Sequence, residues 1–324
     1  MKKVRVEAST KKDRTSEIFG NPMSKKVIRK AQKSKQKNQK KYGDDSKVNY
    51  QCIIRDNPCI GEPLGVKNVV VTRKEGKGSF DEERGVIVGN IRMGFGHYRI
   101  SMAIASAAHA LGYTPYWMDL NSYPETTCTK LISAQNELYS LGSRISQKSK
   151  LFNKFVWEPV NYEGFRQLSY NAADQKNAEL MAPVYHSVPK DIPVIATHVW
   201  PAQAAVHAGM KHVVNAIPDN WPMALHYAQG SLHTVQTHYA YQGYRIGNGM
   251  MKDKVVQAMP PQDLMYTGHY IDHELAANIE KDCEARLSRL KNGEAMRFLL
   301  TVGGAGAQME IFGEVLHYLI PYVI

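Results

Sequence analysis

The chain has 324 residues and a formal net charge of +11, yet residues 1–50 hold 16 of its 41 Lys and Arg against 5 of its 30 Asp and Glu, so the remainder is electrically neutral. That distribution excludes a uniformly basic nucleic-acid-binding fold. An apolar share of 43% fits a packed globular body, and no apolar run approaches the roughly 18 residues of a membrane span.

Residues 1–47 read as a basic arm, disordered or helical. Lys25–Lys41 offers only Val27, Ile28 and Ala31 as apolar side chains, so it is expected to stay solvated. Its charge suits an anionic membrane surface better than nucleic acid. Cys52 and Cys59 stand close enough in sequence to bridge, but the four cysteines form no C-x-x-C pair, and the expected compartment is the reducing cytoplasm.

Val69–Thr72 and Val86–Val88 read as short strands. The second breaks into Gly94-Phe-Gly96-His97, after which Ile100, Ala103, Ile104, Ala107, Ala108 and Leu111 recur at helix spacing up to Gly112. Tyr113–Leu120 then reads as a strand carrying Asp119. Strand, glycine loop, helix and strand open a doubly wound α/β domain. The glycine loop lets backbone approach a ligand, and the following helix offers unpaired N–H groups to an anion. Arg99 stands where a dinucleotide fingerprint has its third glycine, which disfavours a nicotinamide cofactor.

Further strands are expected at Val194–Ala196, Val213–Ile217, Thr234–Thr237 and Leu264–Thr267. Each ends in a polar break, and three candidate site residues lie in those breaks: His198, Asp219 and Trp221. Imidazoles, a carboxylate and an indole at strand ends suit a polyhydroxylated ligand. No metal-ligand spacing occurs, so no metal is expected.

Ile271, Leu275, Ile279, Cys283, Leu287 and Leu290 predict one long helix over 271–291, stopped by Gly293. A strand at Phe298–Val302, a loop with Gly303, Gly304 and Gly306, and a helix from about Gln308 repeat the pattern of residues 85–111. One strand and one helix cannot close a sheet. Residues 48–270 are therefore expected to form one Rossmann-like domain, and 271–324 a linker helix with the start of a second, truncated domain.

The order of these segments resembles the two-domain (GT-B) glycosyltransferases, especially the monogalactosyldiacylglycerol synthase group and its relative MurG. The matching residues are Gly94-Phe95-Gly96-His97, Asp119-Leu120, Thr197-His198, Pro218-Asp219 and Thr301-Val-Gly-Gly-Ala-Gly306. Phe95 departs from the middle glycine of that loop, and Ile100 from the small residue three after the histidine. The resemblance implies a metal-independent, cofactor-free hexosyltransferase. A nucleotide sugar, such as a UDP-sugar, would be donor and a lipid or glycan acceptor. His97 would act as base or acceptor ligand, with Asp219 and His198 next in line. Gly94, Gly96, Asp119 and Trp221 would lie on the acceptor side, and Gly303, Gly304 and Gly306 at the donor diphosphate. It implies a cytoplasmic protein, peripheral at a membrane if the acceptor is a lipid. A sugar-nucleotide epimerase and a non-catalytic, degenerate binding protein of the same fold are the alternatives.

Overall fold

The computed structural model describes residues 14–74, 76, 79–247, 256–301 and 309–322. It opens with a small hairpin, β1 (Glu17–Ile18) and β2 (Asn21–Pro22). Phe19 and Gly20 both take positive φ at its turn, the backbone a two-residue hairpin loop requires. Phe19 is held there by packing: its ring lies edge-on to Tyr227 at 5.0 Å.

Helix α1 (Lys25–Tyr42) follows, capped by the Ser24 hydroxyl, which accepts from Val27 N. The expected solvated arm is, over its described residues, part of the fold. Ile18, Phe19, Met23 and Ala31 are buried, and α1 lies along a later helix, α6 (Leu168–Met181). Its apolar part is short, with Ala31 buried and Val27 and Ile28 packed against the core, and polar pairs extend it: Lys35 Nζ meets Glu179 at 2.5 Å and Asn38 donates to Asn177 at 3.0 Å. The remaining lysines of α1 still face solvent.

The strands that follow are β3 (Gln51–Asp56), β4 (Lys67–Thr72), β5 (Gly85–Asn90) and β6 (Thr114–Asp119). Short helix α2 (Gly61–Leu64) lies between β3 and β4, and α3 (Phe95–Ala110) between β5 and β6. A long helical connection then crosses the sheet. It comprises α4 (Thr127–Lys148), α5 (Lys150–Phe152), two π-helical turns over 153–164, and α6 (Leu168–Met181). The rest alternates: β7 (Val194–Ala196), α7 (Val199–His207), β8 (Val213–Ala216), β9 (Leu232–Val235), α8 (His238–Ile246) and β10 (Leu264–Tyr266).

Eight strands form one sheet in the order β10-β9-β8-β7-β5-β6-β4-β3. Only β3 runs antiparallel, on the edge, where it pairs with β4. Beyond the strands read from sequence, β3 is an addition. Helices cover both faces, so β5 is buried along its whole length, as central parallel strands are. Val88 and Trp117 pack against Ala105 of α3 on one face, while Ile87 and Met118 join the core on the other. Gly89 is a close-approach position. A Cβ there would lie 3.2 Å from Pro201 Cβ and 3.3 Å from the Tyr185 hydroxyl, so its smallness lets α7 settle on β5.

Residues 271–322 behave differently. The expected long helix is two, α9 (His273–Ala277) and α10 (Ile279–Lys291), with a break at Asn278. Its stripe of Ile271, Leu275, Ile279, Cys283, Leu287 and Leu290 is exposed instead of packed. No strand forms over 298–301, because no neighbouring strand lies alongside to take its hydrogen bonds. The last helix, α11 (Met309–Leu319), is likewise unburied. Gly303, Gly304 and Gly306 lie outside the described residues. Cys52 is buried and Cys59 exposed, both as free thiols, so the considered bridge is not made.

Candidate functional site at the carboxyl edge of the sheet

The chain leaves β5 for β6 on one side and later crosses back to place β7 on the other. The segments after β5 and β7 therefore diverge to opposite faces. In open α/β sheets such a reversal of strand order leaves a crevice beyond the carboxyl ends of the strands, where ligands bind. His97 comes from the β5 side of this crevice, and Thr197 and His198 from the β7 side.

Gly94 supplies the positive φ (79°) that turns the chain into α3. A Cβ on Gly94 or Gly96 would meet nothing within 4 Å, so the space over the loop is open. No side chain caps α3 and its first turn carries no acidic residue, which leaves N–H groups and a partial positive charge directed at that space. Phe95 is 74% exposed at the same turn. Below it the Asn90 side chain is fully buried, and neither amide atom has a protein partner.

His97 Nδ1 lies 2.6 Å from the carbonyl oxygen of Thr197. A carbonyl only accepts, so Nδ1 carries the proton and Nε2 keeps a free lone pair. The Ser101 hydroxyl links back to the His97 carbonyl and to the Thr197 hydroxyl, tying α3 to the end of β7. The His198 ring meets His97 nearly edge-on, with centroids 4.8 Å apart. His198 is buried and caps α7: its Nδ1 accepts from Trp200 N at 3.2 Å. Burial lowers the His97 pKa, although the Thr197 carbonyl and Asp219 oppose that shift. Burial, with the neighbouring imidazoles of His97 and His226, takes His198 well below the ordinary histidine value.

Asp219 is exposed in the loop after β8, and its Oδ2 lies 3.1 Å from Nε2 of the buried His226. The pair has ion-pair spacing without hydrogen-bond alignment. Loss of water pushes the Asp219 carboxyl up, but the His226 contact and the charges of His226 and His97 outweigh it and hold it below its usual value. Trp221, two residues on, is 40% exposed between Tyr162 and Tyr239, and the Arg166 guanidinium lies 5.4 Å over its ring.

Thus His97, His198 and Asp219 come together from three strand ends, with Trp221 beside them. Asp119 does not join them. It is buried at the end of β6, where it pairs with Arg92 Nε at 2.6 Å and accepts from Asn121 N and the Ser122 hydroxyl, which fixes the β6 turn. Sequence reading missed His226, Asn90 and Arg92, and named Thr197 only within the Thr197-His198 match. His226 sits in a short 3-10 turn (Ala224–His226) without strand or glycine signals. Asn90 was readable as the polar end of an apolar strand. Among the described residues, no group of three or more His, Cys, Asp or Glu is placed to hold a metal ion, and no helix is long and apolar enough to cross a membrane.

Fold and crevice define a doubly wound α/β protein with a histidine-rich site at its strand-order reversal. The chain belongs to the family described as Domain of unknown function DUF6937, which matches residues 17–246. A second, Domain of unknown function DUF6938, matches residues 259–324. The second match includes β10, which nevertheless pairs in register with β9 of the main sheet. No curated protein and no solved structure matches the chain.

Proposed function

We propose that this chain is the acceptor-side part of a nucleotide-sugar-dependent glycosyltransferase of the two-domain GT-B type. One observation carries the reading. The first helix after the first central strand delivers a histidine whose Nδ1–H is committed to Thr197, so that a bare Nε2 is left at the strand-order reversal. A base is needed at that place if an acceptor hydroxyl is to attack a sugar. The resemblance of the glycine–histidine loop to the monogalactosyldiacylglycerol synthase group supports the same assignment.

In this mechanism His97 Nε2 takes the acceptor hydroxyl proton while the oxygen bonds to the anomeric carbon. The bond from that carbon to the donor diphosphate breaks, and the nucleoside diphosphate leaves with the electron pair. The lowered His97 pKa keeps the imidazole neutral and ready at pH 7. The same surroundings make imidazolium costly, and the Asp219 carboxylate offsets that cost as charge develops. Trp221 would flank the acceptor as a stacking surface. The donor diphosphate would lie at Gly303, Gly304 and Gly306, which fall outside the described residues. The exposed lysines of α1 carry the charge to meet an anionic lipid surface.

The test is nucleoside diphosphate release from UDP- and GDP-hexoses by this chain joined to the complete donor-side domain that the reading calls for, with and without acceptor on neutral and anionic vesicles. The expected result is acceptor-dependent release, faster on anionic vesicles. His97→Ala should reduce it by about 10²–10⁴-fold with unchanged thermal unfolding. Acceptor-independent turnover of the sugar nucleotide would favour the epimerase reading. Absence of any nucleotide-sugar binding would favour a non-catalytic protein.

A further inference from the structure

A line of side chains runs from His97 into the interior. Asp174 of α6 is buried, and its Oδ2 accepts from the indole Nε1 of Trp200 at 3.3 Å. Among the described residues that indole is its one hydrogen-bond donor. The Trp200 ring meets the His198 ring at 4.7 Å and 69°, and the Trp200 backbone N–H also bonds His198 Nδ1. The His198 ring in turn meets His97 at 4.8 Å and 82°.

A carboxyl is an expensive choice for this place. Burying it with a single indole partner costs far more than burying a leucine of similar size. Asn171 Oδ1, one helical turn before Asp174, and Gln203 Oε1, one turn after Trp200, are buried acceptors without donors. Burial pushes the Asp174 carboxyl up to about 7, so it retains its proton through most of the acid range while its other oxygen can still accept from the indole.

We propose that Asp174 is a positioning residue for His97: it anchors the Trp200 indole, Trp200 fixes the His198 ring, and His198 holds the His97 imidazole in the single orientation that points Nδ1 at Thr197. The use of His97 as a base rests on the function proposed above; the anchoring does not. Asp174 itself touches none of the reacting atoms.

The experiment follows the Trp200 indole N–H and the ring nitrogens of His97 and His198 by NMR through a pH titration of the ¹⁵N-labelled full chain. Trp200→Phe and His97→Gln assign the signals, and Asp174→Asn is compared with Asp174→Leu. Asparagine keeps an acceptor for the indole, so its indole signal and its Nδ1–H form of His97 should match the wild type. Asp174→Leu and Trp200→Phe should each leave the His97 ring nitrogens averaged between tautomers. Their His97 titration midpoint should move up toward the ordinary histidine value as water reaches the ring. An unchanged His97 signal in folded Asp174→Leu and Trp200→Phe overturns the proposal. So does a disturbance in Asp174→Asn as large as in Asp174→Leu. If the leucine variant does not fold, Trp200→Phe and Asp174→Asn decide the matter between them. A wild type that shows the NMR response but no sugar transfer sinks the transferase reading alone. Transfer that needs His97, with no NMR response, sinks the anchoring alone.

Discussion

Residues 85–110 and 294–319 carry the same local message, a short apolar run, a glycine-rich break and an amphipathic helix, and they meet different fates. The first run becomes β5, hydrogen-bonded to β6 and β7 and covered on both faces. In the second, residues 298–301 stay without a strand, with Leu299 87% exposed, and α11 packs nothing on its apolar side. A strand satisfies none of its own backbone groups, so it exists only where a neighbour supplies them. A helix satisfies its own, which is why α10 and α11 form without partners while the strand does not.

The largest expected contrast is between equivalent core and stripe substitutions. Ile87→Ala in β5 should cost about 2–5 kcal/mol of stability, whereas Leu287→Ala in α10 should stay within about 0.5 kcal/mol. Denaturant unfolding of the two variants measures this, and amide hydrogen exchange should show α3 protected where α10 and α11 exchange fast. If Leu287→Ala cost as much as Ile87→Ala, the C-terminal helices would be packed in solution. A smaller effect is expected at the seat of α7. Gly89→Ala pushes a methyl toward Pro201 and Tyr185 and should cost about 1–3 kcal/mol, because β5 and α7 are both fixed in place. An unchanged melting temperature would mean that α7 sits more loosely on β5 than α3 does.

The effect spread most thinly, over a range of pH and not at one condition, is a pH dependence confined to the body. Burial first of all takes His207 and His233 down to about 4 in the folded chain, against an ordinary value of 6.5. Between about pH 6.5 and 4 the unfolded chain binds protons at these sites and the folded chain does not, so stability falls as pH falls through that window. Asp174 works in the opposite sense. With its folded value raised by burial to about 7 from 3.8, it favours the folded state at acid pH and loses that contribution as pH rises. Asp174→Asn should therefore gain stability relative to wild type as pH rises from about 4 to 7, by at most about 1.4 kcal/mol per pH unit. A pH-independent difference between the two would place a charged carboxylate at Asp174.

Much of the fold was legible because its signals are local. The strands at 69–72, 86–88, 194–196, 213–217 and 264–267 and the helix ending at Gly112 lie where apolar runs and glycine breaks put them. The strand expected at 234–237 lies two residues earlier, at 232–235. His97, His198 and Asp219 were selected by one rule, that polar residues at the carboxyl ends of parallel strands face the crevice. The rule also selected Asp119, which fixes a turn with Arg92, since it cannot tell a ligand from a lock. It missed His226, which arrives from an irregular segment and matters only through what it touches. Composition allowed a helix over Lys25–Lys41, which forms, but not its docking. A helix whose packed face combines Val27, Ile28 and Ala31 with Lys35 and Asn38 carries only a short apolar signal, and its polar groups pair with Asn177 and Glu179 of α6.

By itself, then, the sequence determined the alternation of strand and helix, the glycine turn at Gly94, and a charge excess lodged in the first fifty residues. These follow from backbone sterics, side-chain periodicity and composition, which need no partner. Only the tertiary structure decided which apolar segments found neighbours, that the basic helix is docked, and that His97 meets Thr197 and His198. Those outcomes depend on groups a hundred or more residues apart meeting within a few ångströms, and no local pattern encodes a distance of that kind.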